Sequence, residues 1–211
     1  MSTVLDRMSA CGVVPVVVVD DVAQARLVAD ALVAGGLPVA EITFRTAAAA
    51  DAIRELSGRD DLLVGAGTVL TVDQVDAAVA AGAKFIVSPG CSRAVVERAG
   101  EHGVFALPGA VTATEIMAAM ELGASTVKFF PAGTNGGAKA IAALAAPFGG
   151  IRFVPTGGIS LANIADYLAI GAVAAVGGSW MVKPDLIRAG RSDELVAVIR
   201  DTVAAVKAIR G

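Results

Sequence analysis

Residues 126–131 read TVKFFP, a short apolar segment with one lysine near its centre and a proline at its end. Seven further segments of the chain are similarly short and mainly apolar, and the residues near their centres lie 20–26 positions apart. The eight central residues are Val16, Ile42, Val64, Ile86, Ala106, Lys128, Val154 and Val176. Strands that recur at so regular an interval predict a repeated strand–helix unit.

The stretches between these segments have helical patterns. Apolar residues keep to helical spacing over residues 20–33, and residues 71–81, 112–122 and 160–170 each begin with Ser or Thr as an N-cap. Crossovers of this length join parallel strands. We therefore predict one α/β domain over residues 1–211, a closed (β/α)8 TIM barrel with a short helix over residues 2–10 before the first strand. The alternative is an open doubly wound sheet, which more often has five or six strands.

Composition excludes several other classes of protein. Hydrophobic residues make up 55% of the chain, which is far too many for a disordered protein. The longest stretch without a charge, residues 167–182, is too short and too rich in glycine for a membrane-spanning helix. The net charge is −3 with no basic run, so neither nucleic acid nor a membrane is an expected partner. Two cysteines and no signal-peptide pattern predict a cytoplasmic protein.

Charged residues enter two of the predicted strands. In the second strand, Glu41 and Arg45 alternate with Ile42 and Phe44. Since successive side chains of a strand point to opposite faces, the apolar pair is predicted to face the helices and the charged pair the barrel interior. Lys128 is the one lysine of five that lies in the middle of a strand among apolar neighbours. We therefore expect Lys128 and Glu41 to share the interior.

The position of Lys128 suggests chemistry. An ammonium group placed there loses hydration, which favours the free amine that a Schiff base requires. The alternative is a structural ion pair between Lys128 and Glu41 in the core. Lysines inside strands are rare, and unusual titratable groups cluster at functional sites, which favours the catalytic interpretation. Arg45 has the right shape to bind a carboxylate, although it could equally be solvated.

Paired glycines end the last two predicted strands. The sequence TGG (156–158) follows the seventh strand and precedes a predicted helix, and GGS (177–179) ends the eighth. Barrel enzymes often bind phosphate at these two positions, where backbone N–H groups and a helix N-terminus face the anion. The alternative is ordinary turn chemistry. At the end of the third strand, Thr68 could offer a hydroxyl group at the barrel mouth.

From about residue 13 to residue 180 the chain resembles the 2-keto-3-deoxy-6-phosphogluconate (KDPG) aldolase family. The resemblance rests on eight motifs in order: AGG (34–36), EITFRT (41–46), GAGTVL (65–70), SPG (88–90), VKFFPA (127–132), NGG (135–137), PTGGI (155–159) and GGSW (177–180). It implies a homotrimeric class I aldolase that uses no metal ion and no cofactor. A single histidine and no cluster of carboxylates likewise leave no evident metal-ligand set.

The resemblance also implies roles for individual residues. Lys128 would form the Schiff base, and Glu41 would transfer protons. The residues expected to bind substrate are Arg45 and Thr68 at the carboxylate, Phe130 beside the imine, and Thr156, Gly157, Gly158, Gly178 and Ser179 in the phosphate-binding loops.

The expected reaction is cleavage of KDPG, an intermediate of the Entner–Doudoroff pathway, to pyruvate and glyceraldehyde 3-phosphate. Close relatives that cleave 4-hydroxy-2-oxoglutarate share the lysine and the glutamate, so an aldolase for unphosphorylated 4-hydroxy-2-oxo acids is the nearest alternative. A third interpretation is a non-catalytic or engineered barrel that forms oligomers. Such a barrel would have no need of Lys128 and Glu41 together.

Overall fold

The computed structural model describes residues 3–211, in which strands and helices alternate along the chain. The strands are β1 (Val13–Val17), β2 (Val39–Thr43), β3 (Leu63–Gly67), β4 (Phe85–Val87), β5 (Phe105–Leu107), β6 (Thr126–Phe129), β7 (Arg152–Pro155) and β8 (Val176–Gly178). The helices are α1 (Val4–Cys11), α2 (Val22–Ala34), α3 (Ala49–Leu56), α4 (Val72–Ala80), α5 (Arg93–Glu101), α6 (Ala113–Glu121), α7 (Gly137–Ala145), α8 (Ile164–Leu168), α9 (Pro184–Arg188) and α10 (Ser192–Arg210). Each of the eight predicted strand centres lies inside an observed strand.

Polar caps fix where several helices begin. The side chains of Thr71 and Thr112 accept hydrogen bonds from backbone N–H groups in the first turns of α4 and α6, as the sequence predicts. The predicted start at Ser160 is wrong, because α8 begins only at Ile164. Between them, Asn163 Oδ1 accepts a hydrogen bond from Ser160 N at 2.9 Å and closes a turn. The predicted N-terminal helix is α1, and residue 2 of its predicted range lies outside the described residues.

The parallel strands form two separate ladders. Six strands pair in the order β5-β4-β3-β2-β1-β8, and β6 pairs with β7 alone. Isolated bridges between Gly109 and Lys128, Phe153 and Val173, and Thr156 and Gly177 are the pairings between these ladders in residues 3–211. The α/β class was predicted correctly, but the prediction of a closed eight-stranded barrel is wrong, since the six-stranded sheet is curled and open.

The hydrogen-bonded ladder is interrupted between β7 and β8 and between β5 and β6, and a proline lies at each of these two junctions. The bridge from residue 153 reaches residue 173 and the bridge from residue 156 reaches residue 177, so the pairing register slips by one residue between them. Pro155 lies in this interval and has no N–H to donate. At the other junction Pro108 also lacks an N–H, and its carbonyl accepts from Lys128 N at 2.8 Å.

The interior is filled by buried residues from the strands and from the inner faces of the helices. Strands β1 to β4 are almost entirely buried, as expected for parallel strands covered on both faces. Helix α10 packs against α2, α8 and α9. Within residues 3–211 no helix combines the length and the apolar character needed to cross a membrane.

Candidate active site

A lysine and a glutamate meet inside the curled sheet. Lys128 on β6 and Glu41 on β2 are only 5% and 2% exposed, and Lys128 Nζ donates a hydrogen bond to Glu41 Oε1 at 3.2 Å. Strands β2 and β6 belong to different ladders, so this contact spans the interior. The two side chains share the interior as predicted, and the contact suits both a catalytic pair and a structural ion pair.

Glycine 67 leaves the space that the Glu41 carboxyl group occupies. A Cβ added at Gly67 would lie 2.5 Å from Cγ and 2.7 Å from Cδ of Glu41, and closer still to Oε1. The register of β2 and β3 places Thr43 opposite Gly67. The buried hydroxyl of Thr43 donates to Val17 O at 3.0 Å, which ties β2 to β1 beside the glutamate.

Phe130 connects the lysine to the loop that follows β7. Lys128 Nζ lies 5.4 Å from the centroid of the Phe130 ring, within the range of a cation–π contact. The Cδ2–Cε2 edge of that ring packs on Gly157, where an added Cβ would be 3.3 Å from the ring. Phe130 is 37% exposed, so its ring lies at the rim of the interior.

The loops after β7 and β8 lie side by side. Thr156 is buried and bridges Gly177, where an added Cβ would be 3.1 Å from Thr156 Cβ and closer to its hydroxyl oxygen. Gly157 and Gly158 have φ angles of 92° and 75°, which favour glycine. Ser179 is exposed after the buried Gly178.

Some N–H groups in these loops are free. Among the described residues, the backbone N–H groups of Gly158 and Ser179 donate no hydrogen bond to a protein acceptor. An anion placed between the two loops would find these donors available.

Arg45 and Thr68 lie at the carboxyl ends of β2 and β3. Because β2 ends at Thr43, Arg45 falls in the following turn and is exposed, so strand alternation does not set the direction of its side chain. Thr68 is half-buried and has a φ of 55°, the one left-handed non-glycine residue in the described part of the chain. Neither side chain makes a recorded hydrogen bond to Lys128 or Glu41.

The sequence reasoning missed two residues of this region. Gly67 and Gly177 provide the space for Glu41 and Thr156, whereas the sequence pattern predicts them only as parts of strand-end motifs. A glycine inside a strand pattern often marks a close approach by another group. That signal was present in GAGT (65–68) and GGS (177–179).

Comparison with known proteins gives a consistent result. Residues 4–198 match the KDPG and KHG aldolase family. A 2-dehydro-3-deoxy-phosphogluconate aldolase of Treponema pallidum (strain Nichols) is 47% identical over 98% of this chain and 99% of the relative. A KHG/KDPG aldolase of Escherichia coli (strain K12) is 45% identical over 92% of each chain.

Solved structures agree with the sequence matches. KDPG aldolase from Legionella pneumophila, with pyruvate captured at low pH as a covalent carbinolamine intermediate, has a TM-score of 0.90 and 36% identity, over 93% of this chain and 96% of that one. The 2-keto-3-deoxy-6-phosphogluconate aldolase of Zymomonas mobilis ZM4 with 3-phosphoglycerate has a TM-score of 0.88 and 38% identity, over 97% of each chain.

Similarity of this extent to enzymes of one kind makes the protein an aldolase, a lyase that breaks carbon–carbon bonds. More particularly, the chain belongs to the KDPG and KHG aldolase family, which confirms the resemblance seen in the sequence motifs.

Proposed function

We propose that this chain cleaves KDPG to pyruvate and glyceraldehyde 3-phosphate through a Schiff base on Lys128. The observation that carries the proposal is the buried 3.2 Å contact between Lys128 Nζ and Glu41 Oε1. It places an amine and a proton acceptor together where water has little access. The carbinolamine captured in the Legionella pneumophila relative is the adduct that an amine and a ketone form before they lose water.

The lysine supplies the electron sink. The Lys128 ammonium gives one proton to Glu41, and the free amine attacks the C2 carbonyl of the substrate. The carbinolamine takes that proton back as it loses one water, which leaves a protonated imine. When the C3–C4 bond breaks, its electron pair moves into an enamine and neutralises the imine nitrogen. The departing fragment is the aldehyde, glyceraldehyde 3-phosphate.

Glutamate 41 moves two protons in turn. Its carboxylate accepts the C4 hydroxyl proton as the bond breaks, and the resulting carboxylic acid returns a proton to C3 of the enamine. Water then hydrolyses the protonated imine, which releases pyruvate and returns Lys128 as the ammonium that pairs with Glu41. One carboxyl group thus serves as base and then as acid, and the cycle ends with the protein unchanged.

The remaining predicted residues hold the two ends of the substrate. Arg45 and Thr68 at the ends of β2 and β3 bind the carboxylate, and Phe130 packs beside the imine. Thr156 supports the two loops in which Gly157, Gly158, Gly178 and Ser179 surround the phosphate, and the N–H groups of Gly158 and Ser179 are presented to it. The free N–H groups of both loops support this assignment.

Labelling tests the covalent step. Incubation with pyruvate followed by borohydride is expected to add one reduced pyruvyl group, which peptide mass spectrometry places on Lys128. A Lys128→Met variant is expected to take no label, while Lys84→Met, at an exposed lysine just before the amino end of β4, labels as the wild type does. A label on another lysine in an active Lys128→Met variant would overturn the proposal.

Cleavage of 4-hydroxy-2-oxoglutarate is the second candidate activity, because the Escherichia coli relative carries both names. Ser179→Asp separates the two activities, since its negative charge repels the C6 phosphate of KDPG, whereas 4-hydroxy-2-oxoglutarate ends at its C5 carboxylate and is too short to fill the phosphate position. Charge-assisted hydrogen bonds are worth about 1.5–3 kcal/mol each, so disturbing two of them lowers kcat/KM for KDPG by about 10²–10⁴-fold. Ser179→Asn is the uncharged control. Equal losses for both substrates in Ser179→Asp would argue against phosphate binding at Ser179.

Two further properties belong to the proposal. A homotrimer is supported by the exposed Met117 and Met120, which lie on one face of α6 and are 55% and 44% exposed. Sedimentation equilibrium measures the mass of the assembly directly. A cytoplasmic location is supported by the free thiols of Cys11 and Cys91, which suit a reducing compartment.

A further inference from the structure

We infer that Gly67 is a positioning residue whose missing side chain holds Glu41 in its proton-transferring position against Lys128. The inference rests on the proposed function and adds a residue to it. It concerns the geometry of β3, where the three atoms nearest to a Cβ added at Gly67 are Oε1, Cγ and Cδ of one side chain, Glu41.

The same carboxylate oxygen carries both contacts. Glu41 Oε1 accepts the hydrogen bond from Lys128 Nζ at 3.2 Å, and it is also the atom closest to the empty position at Gly67. A methyl group there would press on the oxygen that meets the lysine. Glu41 is 2% exposed and has packed neighbours, so its carboxyl group would have to rotate away from Lys128 to make room.

Backbone conformation gives no other reason for a glycine at this position. Gly67 lies inside β3, in register with Thr43, and it is absent from the residues with positive φ. An alanine would therefore fit the backbone without strain. The methyl group of an alanine would instead overlap the side chain of Glu41 in its present position.

A glycine two residues earlier provides a matched control. Gly65 is in the same strand, has the same orientation, and lacks a positive φ. A Cβ added there would collide with the ring of Phe85 and not with Glu41. Alanine at either position crowds the interior, but only alanine at position 67 displaces the carboxylate.

The test separates bond formation from proton transfer. Trapping of pyruvate with borohydride reports the imine on Lys128, and exchange of the pyruvate methyl protons with deuterium reports the proton transfers of Glu41. In Gly67→Ala we expect trapping to persist while exchange per trapped enzyme and kcat both fall by roughly 10²-fold. In Gly65→Ala the ratio of exchange to trapping is expected to stay at the wild-type value.

Coupling to Glu41 decides the cause. Adding Gly67→Ala to a Glu41→Gln variant is expected to slow exchange no further than about twofold, because the displaced carboxylate is already gone. If the losses of exchange rate caused by Gly67→Ala and Glu41→Gln instead multiply in the double variant, the inference is overturned. It is also overturned if Gly67→Ala exchanges at the wild-type rate, or if Gly67→Ala loses trapping and exchange to the same extent.

Folding provides a second readout that needs no activity. If Gly67→Ala does not fold, the double variant Gly67→Ala/Glu41→Ala is expected to fold, since removing the glutamate side chain clears the space. Failure of both variants to fold would overturn the inference. A wild-type enzyme that traps no pyruvate would refute the proposed function instead, and the folding comparison would still decide the Gly67–Glu41 contact.

Discussion

Replacing Lys128 with methionine tests the energetics of the buried pair. Methionine keeps most of the lysine volume but removes the charge, so the carboxylate of Glu41 loses its recorded hydrogen-bond donor while its side chain stays 3% exposed. Breaking a buried ion pair from one side costs about 3–5 kcal/mol of unfolding free energy. For a chain of 211 residues this corresponds to a fall in Tm of about 6–20 °C.

The double variant Lys128→Met/Glu41→Met isolates the reason for that loss. It leaves no buried charge, and apolar replacement of a buried pair is typically neutral or stabilising by about 1–4 kcal/mol. We expect urea unfolding, followed by circular dichroism, to return the double variant at least to wild-type stability. Lys84→Met, at an exposed lysine with no recorded ion pair, is expected to change stability by less than about 0.5 kcal/mol. A double variant as unstable as Lys128→Met would refute the reasoning, because the loss would then come from packing.

Two further predictions concern the helical layer. Hydrogen bonds from Arg98 lower the pKa of Asp76 from 3.8 to about 2. The ionised Asp76 carboxylate therefore contributes to stability above about pH 4, and this contribution is lost as the pH falls through about 2. The difference in Tm between wild type and Asp76→Asn is therefore expected to shrink between about pH 5 and pH 2, and a constant difference would contradict this. Gly35→Ala is expected to cost about 1–3 kcal/mol, because an added Cβ lies 2.8 Å from Ile199 Cβ between α2 and α10. Gly58→Ala, in open space, is the control, and equal unfolding free energies for the two variants would contradict the packing argument.

The sequence predicts the strands, and the interior positions of Lys128 and Glu41, because both depend on local patterns. The points where strands end and turns begin depend less on local sequence patterns. Alternation assigned Arg45 to the inner face, but alternation cannot say that β2 stops at Thr43. Likewise, both Ser160 and Asn163 are suitable caps, and the turn between them decides which one precedes α8.

Closure of the sheet could not be predicted from spacing. Eight equally spaced strands are compatible with one ladder or with two, and the difference lies in how individual residues pair across the junctions. The slip of one residue between the bridges at Phe153 and Thr156, with Pro155 between them, is a property of tertiary contacts. Repeat length therefore predicted the number of strands but not the continuity of their hydrogen bonds.

The pairing of β1 with β8 has a consequence for synthesis on the ribosome. Val13 pairs with Val176, so one edge of the first strand has no partner until residue 176 has been translated. An unpaired strand edge is a template for association with other chains. The nascent protein thus carries an open, valine-rich edge through most of its elongation, and the last strand to emerge is the one that covers it. Truncation before residue 176 is expected to leave that edge permanently open and to favour aggregation.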